Sequence, residues 1–241
     1  MWMDVVELRN FYATPLGRIA RRAISRRIRA HWPDVSGLSV LGIGYPTPYL
    51  ESMRGEASRA IAAMPAAQGV LHWPRNAGGL TALAYETELP FADVSMDRVV
   101  LVHALECAER VRPLLREAWR VLSESGRLLV VAPNRSGIWA RFERTPFGHG
   151  QPYSPSQLSR ALREVMFTPL STSGALFVPP SRSRMMISSA PAWEKIGGRW
   201  FPAFAGVVVA EAAKQIYAGQ VGPEKARRRA YLPLAHKNTG A

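Results

Sequence analysis

The sequence predicts an α/β protein built on a doubly wound, largely parallel sheet, and three observations carry that expectation. From Ser36 onward, short apolar runs alternate with helical stretches, the pattern of parallel strands joined by crossover helices. The runs at 38–44, 97–103 ("DRVVLVH") and 127–132 ("RLLVVA") are continuously apolar, as strands covered on both faces are. Between the last two lies "RVRPLLREAWRVL", with Leu114, Leu115, Ala118, Trp119 and Leu122 on one helical side.

Taken in chain order, residues 2–32 read as two helices broken at Thr14-Pro15, an N-cap followed by proline at the first helical position. In the second, Leu16, Ile19, Ala20, Ala23, Ile24 and Ile28 recur at helical spacing, with Arg18, Arg21, Arg22, Arg26 and Arg29 largely on other faces. Such a helix either packs on the domain with a solvated basic face or meets RNA or a membrane surface. Strands are expected at 59–64 and 81–85, although periodicity alone allows one helix over 50–64. Gly126 in "SESGR" is expected to be the left-handed residue that stops the helix before it. Ser154 and Pro155 open a helix, and 170–179 together with "AGVVVAEAAKQIY" complete the sheet. The expected organisation is an N-terminal helical extension (1–36), the α/β domain (37–217) and a basic, flexible tail (218–241).

Composition narrows the function classes. No apolar run approaches the ~20 residues that span a bilayer. The lone Cys107 excludes an internal disulfide and suits a reducing cytoplasm. His72, His103 and His149 share no metal-ligand spacing. The 31 Lys+Arg against 18 Asp+Glu give a net charge of +13, a field that attracts nucleic acid, anionic membrane or acidic partners. The excess is spread along the chain, which argues against one dedicated groove.

Three segments read together resemble the class I S-adenosylmethionine-dependent methyltransferases, in their small type 11 branch. They are "ETELPFADVSMDRVVLVHALE", "LLREAWRVLSESGRLLVVAPN" and "FGHGQPYSPSQLSRALRE". The resemblance covers about 37–217 and implies a Rossmann-like, seven-stranded sheet with its last strand inserted antiparallel. It places the cofactor, S-adenosylmethionine, over "GIGYPTP", beyond the carboxyl end of the first strand.

The glycine turn departs from the family pattern, acid-x-Gly-x-Gly-x-Gly. The acid position falls on Gly42, the first glycine on Gly44, and the next two on Pro46 and Pro48. Each proline removes an amide donor and fixes φ near −65°. The family's ribose-binding acid falls near Met64-Pro65, and its adenine-reading aspartate near Tyr85, with Glu86 adjacent. Losing a charge-assisted carboxylate–diol contact costs about 1.5–3 kcal/mol. The cofactor contacts then expected are the backbone at Gly42 and Gly44, the rings of Tyr45 and Trp73, Glu86, Leu89 and His103; core packing is the alternative for the aromatics.

Methyl transfer from a sulfonium needs a well-held nucleophile and, for an oxygen or nitrogen acceptor, a general base. His103 at the end of the fourth strand, His149 on the loop after the fifth, and Tyr153 are the candidates. Cys107 reads as a packing residue. The loop 134–153 is expected to cover an acceptor pocket, with Trp139, Phe142 and Phe147 as an apolar lid and Arg135, Arg141 and Arg144 facing an acidic substrate or solvent. The resemblance implies a methyltransferase; it leaves the acceptor unidentified, a small molecule being favoured. The altered contacts leave open an inactive relative that serves as a binding or regulatory module, meeting nucleic acid or membrane through its arginines.

Overall fold

The computed structural model describes residues 3–181 and 183–216, so the expected tail lies outside the described residues. Two helices open the chain, α1 (Val5–Ala13) and α2 (Pro15–His31). They divide where the sequence divides them: the Thr14 side chain accepts the amide of Gly17, with Pro15 in the first turn. The strands are β1 (Ser39–Gly44), β2 (Arg59–Pro65), β3 (Thr81–Ala84), β4 (Met96–Val102), β5 (Leu122–Pro133), β6 (Phe167–Ala175) and β7 (Val207–Lys214). The helices after β1 are α3 (Thr47–Leu50), α4 (Val111–Val121), α5 (Pro155–Arg163), α6 (Arg184–Ser188) and α7 (Ala190–Trp200).

These strands form one seven-stranded sheet in the order β3-β2-β1-β4-β5-β7-β6. The pairs from β3 to β5 are parallel, and β7 runs antiparallel between β5 and β6. The strand order reverses direction at β1, between β2 and β4. Each face is buried under its own apolar cluster. One contains Leu8, Ile24, Val40, Val100 and Val209 with α1 and α2; the other contains Leu41, Val99, Leu115, Leu128 and Leu158 with α4 and α5. Adjacent residues of one strand, such as Val40 and Leu41, thus serve opposite cores, which is why these strands read as unbroken apolar runs.

One expectation is corrected. Gly126 does not stop α4: the helix ends at Val121, Leu122 is already extended, and Gly126 lies inside β5. A side chain there would meet Leu122 and the Ser123 carbonyl at 2.8 Å, so close packing, not left-handed geometry, requires the glycine. Of the two readings of 50–64, the expected strand at 59–64 is the one observed: α3 ends at Leu50 and β2 pairs in parallel with β1.

The motif helix has a structural task. Arg120 donates to the carbonyls of Leu89 and Phe91 and pairs with Asp93 at 2.6 Å and Glu117 at 2.8 Å. Glu117 in turn accepts the Leu89 amide at 2.8 Å. The charges of α4 thereby pin the loop that leads into β4. The Ser154 capping box at the start of α5 is complete, with Gln157 closing back on the Ser154 amide.

Candidate functional site

The glycine turn closes on itself. Gly44 has φ +95°, and a side chain there would collide with the Val102 carbonyl and Ala104. A side chain at Gly42 would collide with Pro46. The Tyr45 amide donates to the Val102 carbonyl at 2.8 Å, and the amides of Tyr49 and Leu50 to the Pro46 carbonyl at 2.9 and 3.0 Å. Pro46 and Pro48 have none to offer. The amides of Tyr45, Tyr49 and Leu50 in this turn are therefore spent on holding β1, β4 and α3 together.

Above this turn, four buried polar side chains meet. The Tyr12 hydroxyl of α1 lies 2.7 Å from His103 Nε2 and 2.8 Å from the Tyr49 hydroxyl. His103 Nδ1 lies 3.3 Å from Glu106 Oε1. With the Nδ1 proton turned to the carboxylate, Nε2 accepts from Tyr12 and Tyr12 accepts from Tyr49. Burial, reinforced by Tyr49, holds the Tyr12 phenol well above its ordinary pKa, so it stays a donor. His103 has φ +51°, a left-handed residue immediately after β4. Phe147 packs on its ring at 4.9 Å, and Tyr45 stacks on Tyr12 at 5.7 Å. One carboxylate atom, Glu106 Oε2, is buried with no hydrogen-bond partner among the described residues.

Beside this knot, beyond the carboxyl ends of β1 and β2, lies a cavity of about 530 Å³. Tyr45 and Trp73 give it flat aromatic walls, with Glu51 between them and Arg9, Arg21 and Arg75 at its border. Glu51 accepts the Trp73 indole N–H at 2.8 Å and pairs with Arg54 at 3.3 Å. A second, larger cavity of about 1210 Å³ lies across α1, among Phe11, Ile138, Phe142, His149, Pro179 and Ile187.

The sequence-derived candidates are thus divided. Tyr45 and Trp73 share the first cavity. Glu86 and Leu89 do not line it; Leu89 is buried in the opposite core, fixed by Glu117 and Arg120. His103 is sealed behind Tyr12. His149 donates from Nε2 to the Glu143 carbonyl at 2.6 Å and faces the second cavity, so the two histidines do not converge. Tyr153 is partly buried beside α5, its backbone bridging Asn134. Of the expected lid, Trp139 and Phe147 are core residues, Trp139 donating to the Val178 carbonyl at 2.7 Å; only Phe142 borders a cavity. Burial and the neighbouring Glu106 push the Cys107 thiol up to about 12, which leaves it an inert packing residue. No group among the described residues could hold a metal ion.

Three residues escaped the sequence reading: Tyr12, Glu51 and Glu106. Glu51 stands directly after the proline turn, and Glu106 three residues past His103, the helical spacing that juxtaposes side chains. Tyr12 carried no local signal, since its partners lie 37 and 91 residues away.

The nucleoside half of S-adenosylmethionine suits the first cavity, with aromatic faces for a base and a carboxylate at hand for a diol.

A sheet of this order, with an antiparallel strand between β5 and β6 and a cavity at the reversal point, defines the class I methyltransferase fold. Residues 41–130 match the family model described as a methyltransferase domain, of type 11. Among solved structures, a SAM-dependent methyltransferase from Thermotoga maritima is 17% identical, with a TM-score of 0.63, over 88% of this chain and 96% of that one. A chain of the Haloferax volcanii complex containing the Trm112 methyltransferase activator is 16% identical, with a TM-score of 0.62, over 90% and 100%. A SAM-dependent methyltransferase from Archaeoglobus fulgidus is 19% identical, with a TM-score of 0.56, over 80% and 94%. At such identities the likeness speaks for the fold. No curated protein matches the chain.

Proposed function

We propose that the chain transfers a methyl group from S-adenosylmethionine to a small-molecule acceptor. The family supports S-adenosylmethionine as the cofactor. The observation that carries the reading is the position of the aromatic-walled cavity beyond β1 and β2, where sheets of this kind bind ligands. Tyr45 and Trp73 would hold the base and Glu51 the ribose hydroxyls. When bound, the sulfonium supplies an already activated methyl group, so the protein's task is to position the acceptor and manage its proton.

His103 is the residue for that proton. Its Nε2 faces Tyr12, and the buried Glu106 behind Nδ1 fixes the tautomer that leaves Nε2 as an acceptor. The Tyr12 hydroxyl occupies the place an acceptor hydroxyl or amine would take, 2.7 Å from the base. Binding and turnover therefore require α1 to withdraw Tyr12. The second cavity, across α1, is the route by which an acceptor reaches the vacated position.

Calorimetry with S-adenosylmethionine and S-adenosylhomocysteine tests this. Wild-type protein binds both; Glu51→Ala and Trp73→Ala bind each roughly tenfold more weakly, the loss of one hydrogen-bonded or stacked contact. Tyr12→Ala binds more tightly, because the displaced ring no longer competes. Absence of heat and of a thermal shift at saturating ligand, for wild type and Tyr12→Ala alike, would leave a methyltransferase-fold binding module in place of an enzyme.

A further inference from the structure

Apolar side chains that leave the core in a group point to a partner. One group lies on α7 and the 3-10 turn after it, Pro202–Phe204. Trp193, Ile196 and Trp200 recur at helical spacing and are 41%, 53% and 68% exposed; Phe201 and Phe204 continue the ridge at 56% and 63%. A neighbouring side of α7 accounts for its attachment. Ala190 and Gly197 are buried, Gly197 against Phe177, and Glu194 accepts the Phe177 amide at 2.7 Å. The exposed apolar stripe is therefore a second face, not the packing face.

Cations frame it. Lys195 and Arg199 stand on the same helix, with Arg199 stacked over Trp200 at 5.7 Å, and Arg184 opens α6. From α2, the Arg27 guanidinium reaches to within 3.2 Å of the space beside Gly198, and Arg22 and Arg26 border the groove between α2 and α6–α7. The carboxylate on this side, Glu194, is committed to the Phe177 amide.

We infer that the α7 ridge, with its frame of arginines and lysine, docks the chain on an anionic lipid bilayer. Tryptophan and phenylalanine insert at the headgroup level while arginine and lysine meet lipid phosphates, the division of labour of interfacial helices. A second copy of the chain fits poorly, because a two-fold contact would set one cationic frame against another. Nucleic acid fits less well than lipid: Ile196 and the 73% exposed Met185 offer no ring for base stacking, and the ridge projects where a strand needs a groove. No helix among the described residues is long and apolar enough to cross a membrane, so the contact is peripheral. This inference stands apart from the methyl-transfer reading and survives its failure.

The test is co-sedimentation of the full chain with vesicles of phosphatidylcholine, alone or mixed with phosphatidylglycerol. Wild type binds the mixed vesicles with a blue shift of tryptophan emission and binds pure phosphatidylcholine weakly. Trp200→Ser/Phe204→Ser, at exposed positions that leave the core untouched, loses about tenfold or more in partitioning. Lys195→Glu/Arg199→Glu loses at least as much, each reversed charge counting for about fivefold or more. Arg160→Glu/Arg163→Glu on α5 changes the net charge equally and serves as the control; near-ultraviolet circular dichroism confirms that each variant is folded. The inference is overturned if the α5 pair weakens binding as much as the α7 pair, or if wild type ignores anionic vesicles. It is equally overturned if the serine pair leaves lipid binding intact while abolishing a dimer seen by light scattering, or while abolishing RNA binding.

Discussion

The knot over β1 and the ridge on α7 break the usual partition of side chains in opposite ways. The knot buries a carboxylate, an imidazole and two phenols; the ridge exposes two tryptophans, an isoleucine and two phenylalanines. Either departure is costly on its own terms, buried polar groups through lost hydration and exposed apolar groups through the hydrophobic effect. The difference lies in how the cost is met. The knot meets it internally, each hydroxyl and ring nitrogen finding a partner within 3.3 Å, apart from the single oxygen on Glu106. The ridge stays largely exposed among the described residues.

Substitutions sharpen this contrast. The largest effect belongs to the floor of the knot. Gly44→Val forces a branched side chain into left-handed backbone and against the Val102 carbonyl, and a loss of about 4 kcal/mol or more is expected in urea unfolding. Next is His103→Leu, which leaves the Glu106 carboxylate and the Tyr12 hydroxyl buried without their partner, at about 3 kcal/mol. Tyr12→Phe keeps the ring and removes only the shared hydroxyl; about 1–2 kcal/mol is expected in the same measurement. If Tyr12→Phe were as damaging as His103→Leu, the network would not be organised around the imidazole.

Alkaline pH probes the knot without mutation. Burial raises the phenols of Tyr12, Tyr45, Tyr49 and Tyr153 above their ordinary value of 10.0. The folded chain thus keeps protons that the unfolded chain releases, so their contribution is complete below pH 10 and is lost as pH climbs through the raised values. Thermal unfolding followed across this window should show the melting temperature falling, and Tyr12→Phe should flatten the fall. The smallest effect belongs to the ridge: Trp200→Ser should change stability by no more than about 0.5 kcal/mol, because that side chain is 68% exposed. A larger loss would mean that the ridge is part of the core.

The chain's own order announced much of this architecture. The apolar runs marked β1, β4 and β5 to within a few residues of their ends except at Leu122–Gly126, where β5 begins early. The capping residues Thr14 and Ser154 marked the starts of α2 and α5. These are local signals, readable because periodicity and capping act over a few neighbours. The family pattern aligns Leu89 and Glu86 without showing which way they face, and neither lines the cavity beyond β1 and β2; Glu117 and Arg120, some thirty residues on, hold the Leu89 backbone.

By itself, then, the sequence determined the alternation of strand and helix and the loss of two amide donors to Pro46 and Pro48, since hydrophobic patterning and proline chemistry are properties of neighbouring residues. Only the tertiary structure decided that Tyr12 would cross 91 positions to reach His103, that Glu51 rather than Glu86 would border the cavity, and that the α7 aromatics would face outward. The physical reason is the same in each case: a side chain's partner is chosen by which elements pack, and packing is a property of the whole chain.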